Sequence, residues 1–395
     1  MKLDLSGIWS FAFISLFMHL LMGSVSYALS ANMYSGLYFF TALIEAIANL
    51  VSCLGPFTAC EYSIIFVSTS IAICDLVKCF RSFPLVAKCC EAAGIKYISW
   101  SYDAPLNVPD IEKTLGFKCN KVYLYDRLMV QEYNDKGFDN VHHLPLSVNV
   151  DRLDKIKITD NDIKKYSADI SFVGQLYQSQ MPLIMSAIDE YHRGFLEAVM
   201  KAQSKIYGYF LIDDVLKPEF MDKLNEIAAF PISKEALSYA MSAQVTRDER
   251  LLFLKLLSNH YDVKLYSSEN NELLSNATFM GTVGYMNEMP KVFKLSKINL
   301  NMSLRCIKSG IPLRALDIMG AGGFLMSNYQ PELAEYFIDG EDYVMYESIE
   351  DMYAKVDFYL KNDELRQTIA ENGHAKVKEL FDYDSRIEAM LSEGV

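Results

Sequence analysis

Charge is scarce at the start of this chain. The first eighty residues hold six charged side chains, Lys2, Asp4, Glu45, Glu61, Asp75 and Lys78, against 22% for the whole 395-residue sequence. Ile8 to Leu29 is 22 residues without one, and about 20 apolar residues cross a bilayer. Met33 to Leu54 is similar apart from Glu45, while Tyr62 to Val77 is shorter, holds Asp75 and fits a buried strand. Lys2 before the first run and Ala28 to Ala31 after it also fit a signal peptide. Residues 1–80 are therefore an atypical apolar segment with three open readings: a membrane anchor through residues 8–54, an apolar part of a folded half, or a replaced start.

Basic residues are scarce too. There are 37 of them against 50 acidic ones, a formal net charge of -13, with no long basic run, which argues against a nucleic-acid partner. Six of the eight cysteines fall between Cys53 and Cys90 without a C-x-x-C pair or a zinc-type pairing with histidine, so they read as reduced, buried or incidental thiols; the expected location is cytoplasmic. Asp160-Asn-Asp162 has the D-x-D pattern of some metal-dependent enzymes, but it follows no buried strand, and helix capping accounts for it. No catalytic metal and no cofactor are expected.

What is present alternates between short apolar runs and helix-sized segments, the pattern of an α/β chain. A length of 395 residues allows two domains with separate cores. Pro84 to Ala93 reads as a helix ended by Gly94, and Lys96 to Trp100 as a strand. Asp103 follows that strand, in the loop position where α/β proteins place functional groups; as an acceptor-orienting carboxylate it competes with a turn-former before Pro105. Lys121 to Tyr125 and His142 to Leu146 are further strands. Adjacent histidines on a strand point to opposite faces, which favours one packed and one solvated, with His143 facing an interdomain cleft as the alternative. Arg152 to Lys165 reads as a linker. Asp169 to Val173 opens a second domain, and Gly174 at its carboxyl end lets a ligand approach the backbone. Helical stretches run from Met181 to about Glu226 and from Ser233 to His260, strands from Asp262 to Tyr266 and from Thr278 to Val283, and late helices over Glu347–Leu360, Asp363–Phe381 and Tyr383–Leu391.

The densest stretch is Lys297 to Glu332. Two strand-length runs, Ile298 to Met302 and Gly323 to Ser327, flank one helix, with Ser309 as its cap, Pro312 in its first turn and Gly320, Gly322 and Gly323 ending it. If the strands are parallel, the loop Ser303 to Gly310 lies beyond a strand's carboxyl end and feeds a helix N-terminus, where open α/β sheets bind ligands and free N–H groups favour an anion. Arg305, Lys308 and Arg314 bring three cations there, which suits a diphosphate. Asp317 shares a helix face with Arg314 and is placed to accept from ribose hydroxyls; a surface ion pair explains the same spacing.

The run SGIPLRALDIMGAGGFLMSNYQPELAEYF resembles the C-terminal signature of CgeB-like, spore-maturation group 1 glycosyltransferases. Similarity extends through GTVGYMNEMPKVFKLSKINLN, EDYVMYESIEDMYAKVDFYL, SWSYDAP, LYDR and HHLPLSVN, covering Phe83 to Leu391. The resemblance implies a GT-B-like α/β fold, two Rossmann-like domains with parallel sheets facing a central cleft. The acceptor domain would span residues 81–160 with part of 1–80, the nucleotide-sugar domain residues 166–380, and residues 381–395 a helix crossing back. Relatives often carry two glutamates separated by seven residues at the signature helix, which here fall on Ser309 and Asp317; only the second keeps a carboxylate. They also often place a basic residue after the turn at Gly174, where this chain has Gln175 to Gln180. Gly281 to Tyr285 would lie near the base, with Tyr285 as a stacking surface, and Gly310 in the phosphate loop. Glu332 either caps a helix or contacts the donor sugar.

The expected activity is metal-independent, retaining transfer of a sugar from a nucleotide-diphosphate sugar to a glycan, protein or small-molecule acceptor. Asp103, Arg305 and Lys308 would act in catalysis, and Gly174, Tyr285, Ser309, Gly310, Arg314, Asp317 and Glu332 would hold the donor. A nucleotide-sugar epimerase and a catalytically silent binding or surface-layer protein remain as alternatives on the same fold.

Overall fold

The computed structural model describes residues 76–79, 84–103 and 111–392, so the expectations for residues 8–54 lie outside the described residues. All contacts given below lie within one unit, Lys78–Ala87 with Tyr97–Val395. Among the described residues no helix is long and apolar enough to cross a membrane.

The first half runs β1 (Leu76–Cys79), α1 (Pro84–Ala93), β2 (Lys96–Ser101), α2 (Ile111–Leu115), β3 (Asn120–Leu124), α3 (Arg127–Asp135) and β4 (Val141–His143). The last three strands are parallel neighbours, with Ser99 beside Val122 and Tyr123 beside His142. Their residues are buried almost without alternation, as strands covered on both faces require. β4 stops at His143, short of the expected Leu146.

The segment Arg152 to Lys165 is not a plain linker. It carries α4 (Val150–Asp154) and α5 (Asp160–Tyr166). Thr159 caps α5 in a reciprocal capping box with Asp162, which also holds Lys291 at 2.9 Å. The D-x-D pattern is thus a helix start, because side-chain oxygens there satisfy N–H groups the first turn leaves unpaired.

The second half continues with β5 (Ala168–Val173), α6 (Met181–Ser186), α7 (Glu190–Gln203), α8 (Leu211–Val215), α9 (Pro218–Ile227), α10 (Lys234–Ser258), β6 (Val263–Tyr266), β7 (Thr278–Gly281) and α11 (Met289–Leu295). β8 (Ser296–Asn301), α12 (Leu313–Gly320), β9 (Leu325–Asn328), α13 (Pro331–Tyr336), β10 (Val344–Tyr346), α14 (Ile349–Leu360), α15 (Asp363–Leu380) and α16 (Tyr383–Ser392) complete it. The sheet order is β10-β9-β8-β5-β6-β7, parallel throughout. Numbered within this half, that is 3-2-1-4-5-6 read from the β7 edge, the doubly wound order whose direction reverses between β5 and β8. The loops leaving those two strands therefore flank the ligand crevice of such a sheet.

The helical stretch from Met181 to Glu226 is four helices, since Asp189 caps α7 and Pro218 starts α9. They form a core of their own with the start of α10, and Leu304 and Cys306 from the loop after β8 join it. At the other end of the chain, the Val148 N–H donates to Phe381 O at 3.0 Å and the Tyr383 hydroxyl lies 3.0 Å from that of Tyr102. The last helix returns to the first half.

Candidate functional site

The loop after β8 is fastened to α10 from within. Arg305 N–H donates to Thr246 Oγ1 at 3.1 Å and Cys306 N–H to Ser242 Oγ at 2.8 Å. With Leu304 and Cys306 turned into the helical core, Arg305 is carried inward as well. Its side chain is 4% exposed, its Nη2 is 2.9 Å from Glu249 Oε2, and its guanidinium lies 3.8 Å from the centre of the Tyr207 ring. Burial is the largest influence and works against its charge, but the Glu249 carboxylate together with Tyr207 and Tyr346 more than offsets it and holds the pKa above its ordinary value.

The other two cations have partners of their own. Lys308 Nζ meets Glu132 and, at 2.6 Å, Asp213; burial opposes the ammonium, and these carboxylates more than offset it. Arg314 contacts Asp317 at 3.4 Å and the Met289 sulfur. The expected convergence of three cations on one anion at the helix mouth is not what the structure shows. Arg305 and Lys308 are neutralised by carboxylates from elements distant in sequence, partners that local spacing could not reveal, while Arg314 pairs with Asp317 one turn along its own helix.

The mouth itself holds an anion that belongs to the chain. Asp126, wholly buried at the start of α3, accepts through Oδ2 from Lys308 N–H at 2.7 Å and Ser309 N–H at 3.1 Å. Its Oδ1 accepts from Met129 N–H at 3.1 Å and lies 2.9 Å from Ser309 Oγ. Glu332 closes the same knot: its Oε1 is 2.7 Å from Ser309 Oγ and accepts from Arg127 N–H at 2.8 Å, and its Oε2 lies 2.8 Å from His143 Nε2. Ser309 therefore does not cap α12, whose N-cap is Pro312, and Glu332 does not cap α13, whose N-cap is Gln330. His143 is neither core nor solvated; it reaches the second half. Gly310 permits the approach, because a Cβ there would stand 2.8 Å from Tyr125 O and 2.9 Å from Asp126 Cα.

A second cluster lies on α12. Asp317 is 4% exposed, and its Oδ1 accepts from the Tyr285 hydroxyl at 2.9 Å. Burial pushes its pKa up to about 6, while Arg314, Tyr285 and Arg152 pull the other way. A carboxylate with a phenol and an arginine at its rim can exchange the phenol for sugar hydroxyls. Tyr285 is itself partly exposed, as is the neighbouring Met286.

The remaining expected residues lie outside both clusters. A Cβ on Gly174 would meet only the Phe172 ring, at 3.1 Å. Asp103 is half-buried with its N–H on Ser101 Oγ at 3.2 Å, within electrostatic reach of Tyr125, whose pKa is raised by burial first and then by carboxylates including Asp126 and Asp103. A cavity of ≈ 10 Å³ between Gln203–Phe210 and the ends of β8 and β9, bordered by Arg305, Lys308 and Asn328, has room for about one water and not a sugar ring.

Residues 247–392 match the sequence model of a family described as glycosyl transferase-like. Structures of Anabaena Alr3699/HepE, in complex with UDP and glucose and with UDP-glucose, align with TM-scores of 0.51 at 9% identity, over 84% of this chain and 80% and 81% of theirs. The chain has the GT-B fold. A glycosyltransferase from Rickettsia africae aligns at a TM-score of 0.47 and 12% identity, over 84% of this chain and 80% of that one. No curated protein matches the chain in sequence.

Sequence reasoning assigned no role to Asp126, Arg127, Glu249 or Arg250. Asp126 and Arg127 lie in the LYDR stretch, where a strand ends before a helix, while Glu249 and Arg250 sit inside a long helix and carried no signal. The buried Arg305–Glu249 pair offers a first test. Arg305→Ala removes the ionic contact of the buried Glu249 carboxylate and is expected to lower stability by about 3–5 kcal/mol in urea denaturation, whereas Arg305→Met with Glu249→Gln should recover most of it. A shift within error for the single variant would show that the pair is not structural.

Proposed function

We propose that the chain is a glycosyltransferase that moves a sugar from a nucleoside-diphosphate sugar, binding the ribose on Asp317, the base beside Tyr285 and the diphosphate on the amides of Lys308 and Ser309. The observation that carries this reading is the Asp126 carboxylate on those two consecutive N–H groups. It marks an anion seat at the carboxyl end of β8, on the crevice that doubly wound sheets use for ligands. Two of the similar structures are complexes with UDP and UDP-glucose, which supports a donor of that class.

In this reading the diphosphate displaces Asp126. The amides, the N-terminal dipole of α12, Lys308 and Arg314 then meet the charge that develops as the leaving group departs. Asp103 in the first half orients the acceptor hydroxyl. Retention of configuration, transfer without a metal and membership of the CgeB-like subgroup are parts of the same proposal.

A second reading, a catalytically silent binding protein, is favoured by the full pairing of Arg305, Lys308 and Arg314 with carboxylates. Calorimetric titration with uridine, guanosine and deoxythymidine diphosphates, followed by assay of hydrolysis or transfer from the corresponding nucleotide sugars, decides between them. Binding with turnover supports the first reading, binding without turnover the second, and no binding contradicts both.

A further inference from the structure

The loop leaving β5, Gln175 to Gln180, holds no cationic side chain. The structure brings one to that place from α10. Arg250 donates through Nε to Met302 O at 3.1 Å and through Nη2 to the same carbonyl, while Nη1 donates to Gln175 O. One buried guanidinium thus ties the loop leaving β5 to the loop leaving β8, across the point where the sheet order reverses. The guanidinium lies 5.1 Å from the centre of the Phe172 ring and 4.7 Å from that of Tyr177. Tyr177 has φ 61, a left-handed conformation that a bulky residue keeps only where its surroundings hold it. Arg247 donates to its carbonyl at 2.7 Å.

The charges beneath this junction do not balance. Arg250 spends its donors on carbonyls. The carboxylate nearest to hand, Glu249, is in ionic contact with Arg305 and accepts from the Tyr207 hydroxyl at 2.7 Å. Two buried Arg305 nitrogens, Nε and Nη2, have no hydrogen-bond acceptor among the described residues. Two guanidiniums over one carboxylate leave positive charge in a low-dielectric interior, where its field on a nearby anion is weakly screened. Burial lowers the Arg250 pKa, yet a guanidinium stays charged at neutral pH.

We propose that Arg250 is a positioning residue for donor turnover: it aligns the loops after β5 and β8 and sets beneath their junction the positive charge for a diphosphate that residues 175–180 lack. This rests on the nucleotide-sugar reading above and deepens it. Lysine can supply the charge but not the forked bond to two carbonyls or the stacking between two rings.

The test compares wild type, Arg250→Lys and Arg250→Met by calorimetry with uridine, guanosine and deoxythymidine mono- and diphosphates, and by kcat and KM with the nucleotide sugar of whichever base binds. Wild type is expected to prefer one diphosphate to its monophosphate by about tenfold or more. Arg250→Met should lose that preference, and Arg250→Lys should keep most of it while kcat falls about tenfold. A merely structural residue would move mono- and diphosphate affinities together. Should the methionine variant fail to fold by circular dichroism, the lysine variant decides alone: unchanged kcat overturns the proposal, as do a retained diphosphate preference and kcat in a folded methionine variant. Wild type binding none of the diphosphates overturns the donor reading and this role with it.

Discussion

Asp126→Asn is expected to weaken the fold and tighten nucleoside-diphosphate binding at the same time. The carboxylate accepts from three backbone N–H groups and sits beside Ser309 Oγ, and an amide in its place turns a second donor toward donors. Hydrogen bonds to a charged group are worth about 1.5–3 kcal/mol each. Losing two should lower stability by roughly 3 kcal/mol, read from the urea midpoint. Those N–H groups are then no longer held by an internal anion, and an external diphosphate need not displace one. Affinity should rise about tenfold, or 1.4 kcal/mol, by calorimetry. Lower stability with unchanged affinity would mean that the diphosphate does not use these amides.

Asp317→Asn should remove a pH dependence centred near 6. Burial raises the carboxyl from an ordinary 3.8 to about 6, so between those values the folded chain holds the proton that the unfolded chain has released. The stability this group confers is therefore full below about pH 4 and is lost as pH rises through about 6, a difference of roughly 3 kcal/mol. Nucleoside binding has the opposite sign, because ribose hydroxyls donate to the ionised form, and affinity should climb through the same interval. The asparagine variant is expected to be more stable than wild type at pH 8 and flat across pH 5–7. Its nucleotide binding should be weaker by about 1.5–3 kcal/mol, the loss of one charged hydrogen bond. If both pH steps persist in the variant, another group is titrating.

Much of the fold is legible along the chain. The unit from β8 through α12 to β9 has bounds close to those the apolar runs imply, because a parallel strand buried on both faces must be apolar throughout and a helix must then return the chain. The order of the six strands is not legible, since register with distant neighbours leaves no local trace. The helical stretch from Met181 to Glu226 showed in its periodicity but not in its four-part division, which Asp189 and Pro218 help to impose.

The site was legible in part. Asp317 could be placed on a helix face from its spacing to Arg314. The partners of Arg305, Lys308 and Ser309 lie tens to hundreds of residues away, and a pattern read locally assigns such cations to a ligand by default. Ser309 shows the same limit from the other side. Its missing carboxylate looked like a loss in sequence, yet Asp126 and Glu332 bring two carboxylates to its hydroxyl. Leu304 and Cys306 explain why Arg305 turned inward: two apolar neighbours anchored in a helical core leave the residue between them little choice of direction.

The most direct measurement is a crystal structure of the protein with the tightest-binding nucleoside diphosphate. Phosphate oxygens on the Lys308 and Ser309 amides, Asp126 swung away from them and ribose hydroxyls on Asp317 are the arrangement expected. A diphosphate bound elsewhere, with Asp126 still seated on both amides, would contradict it.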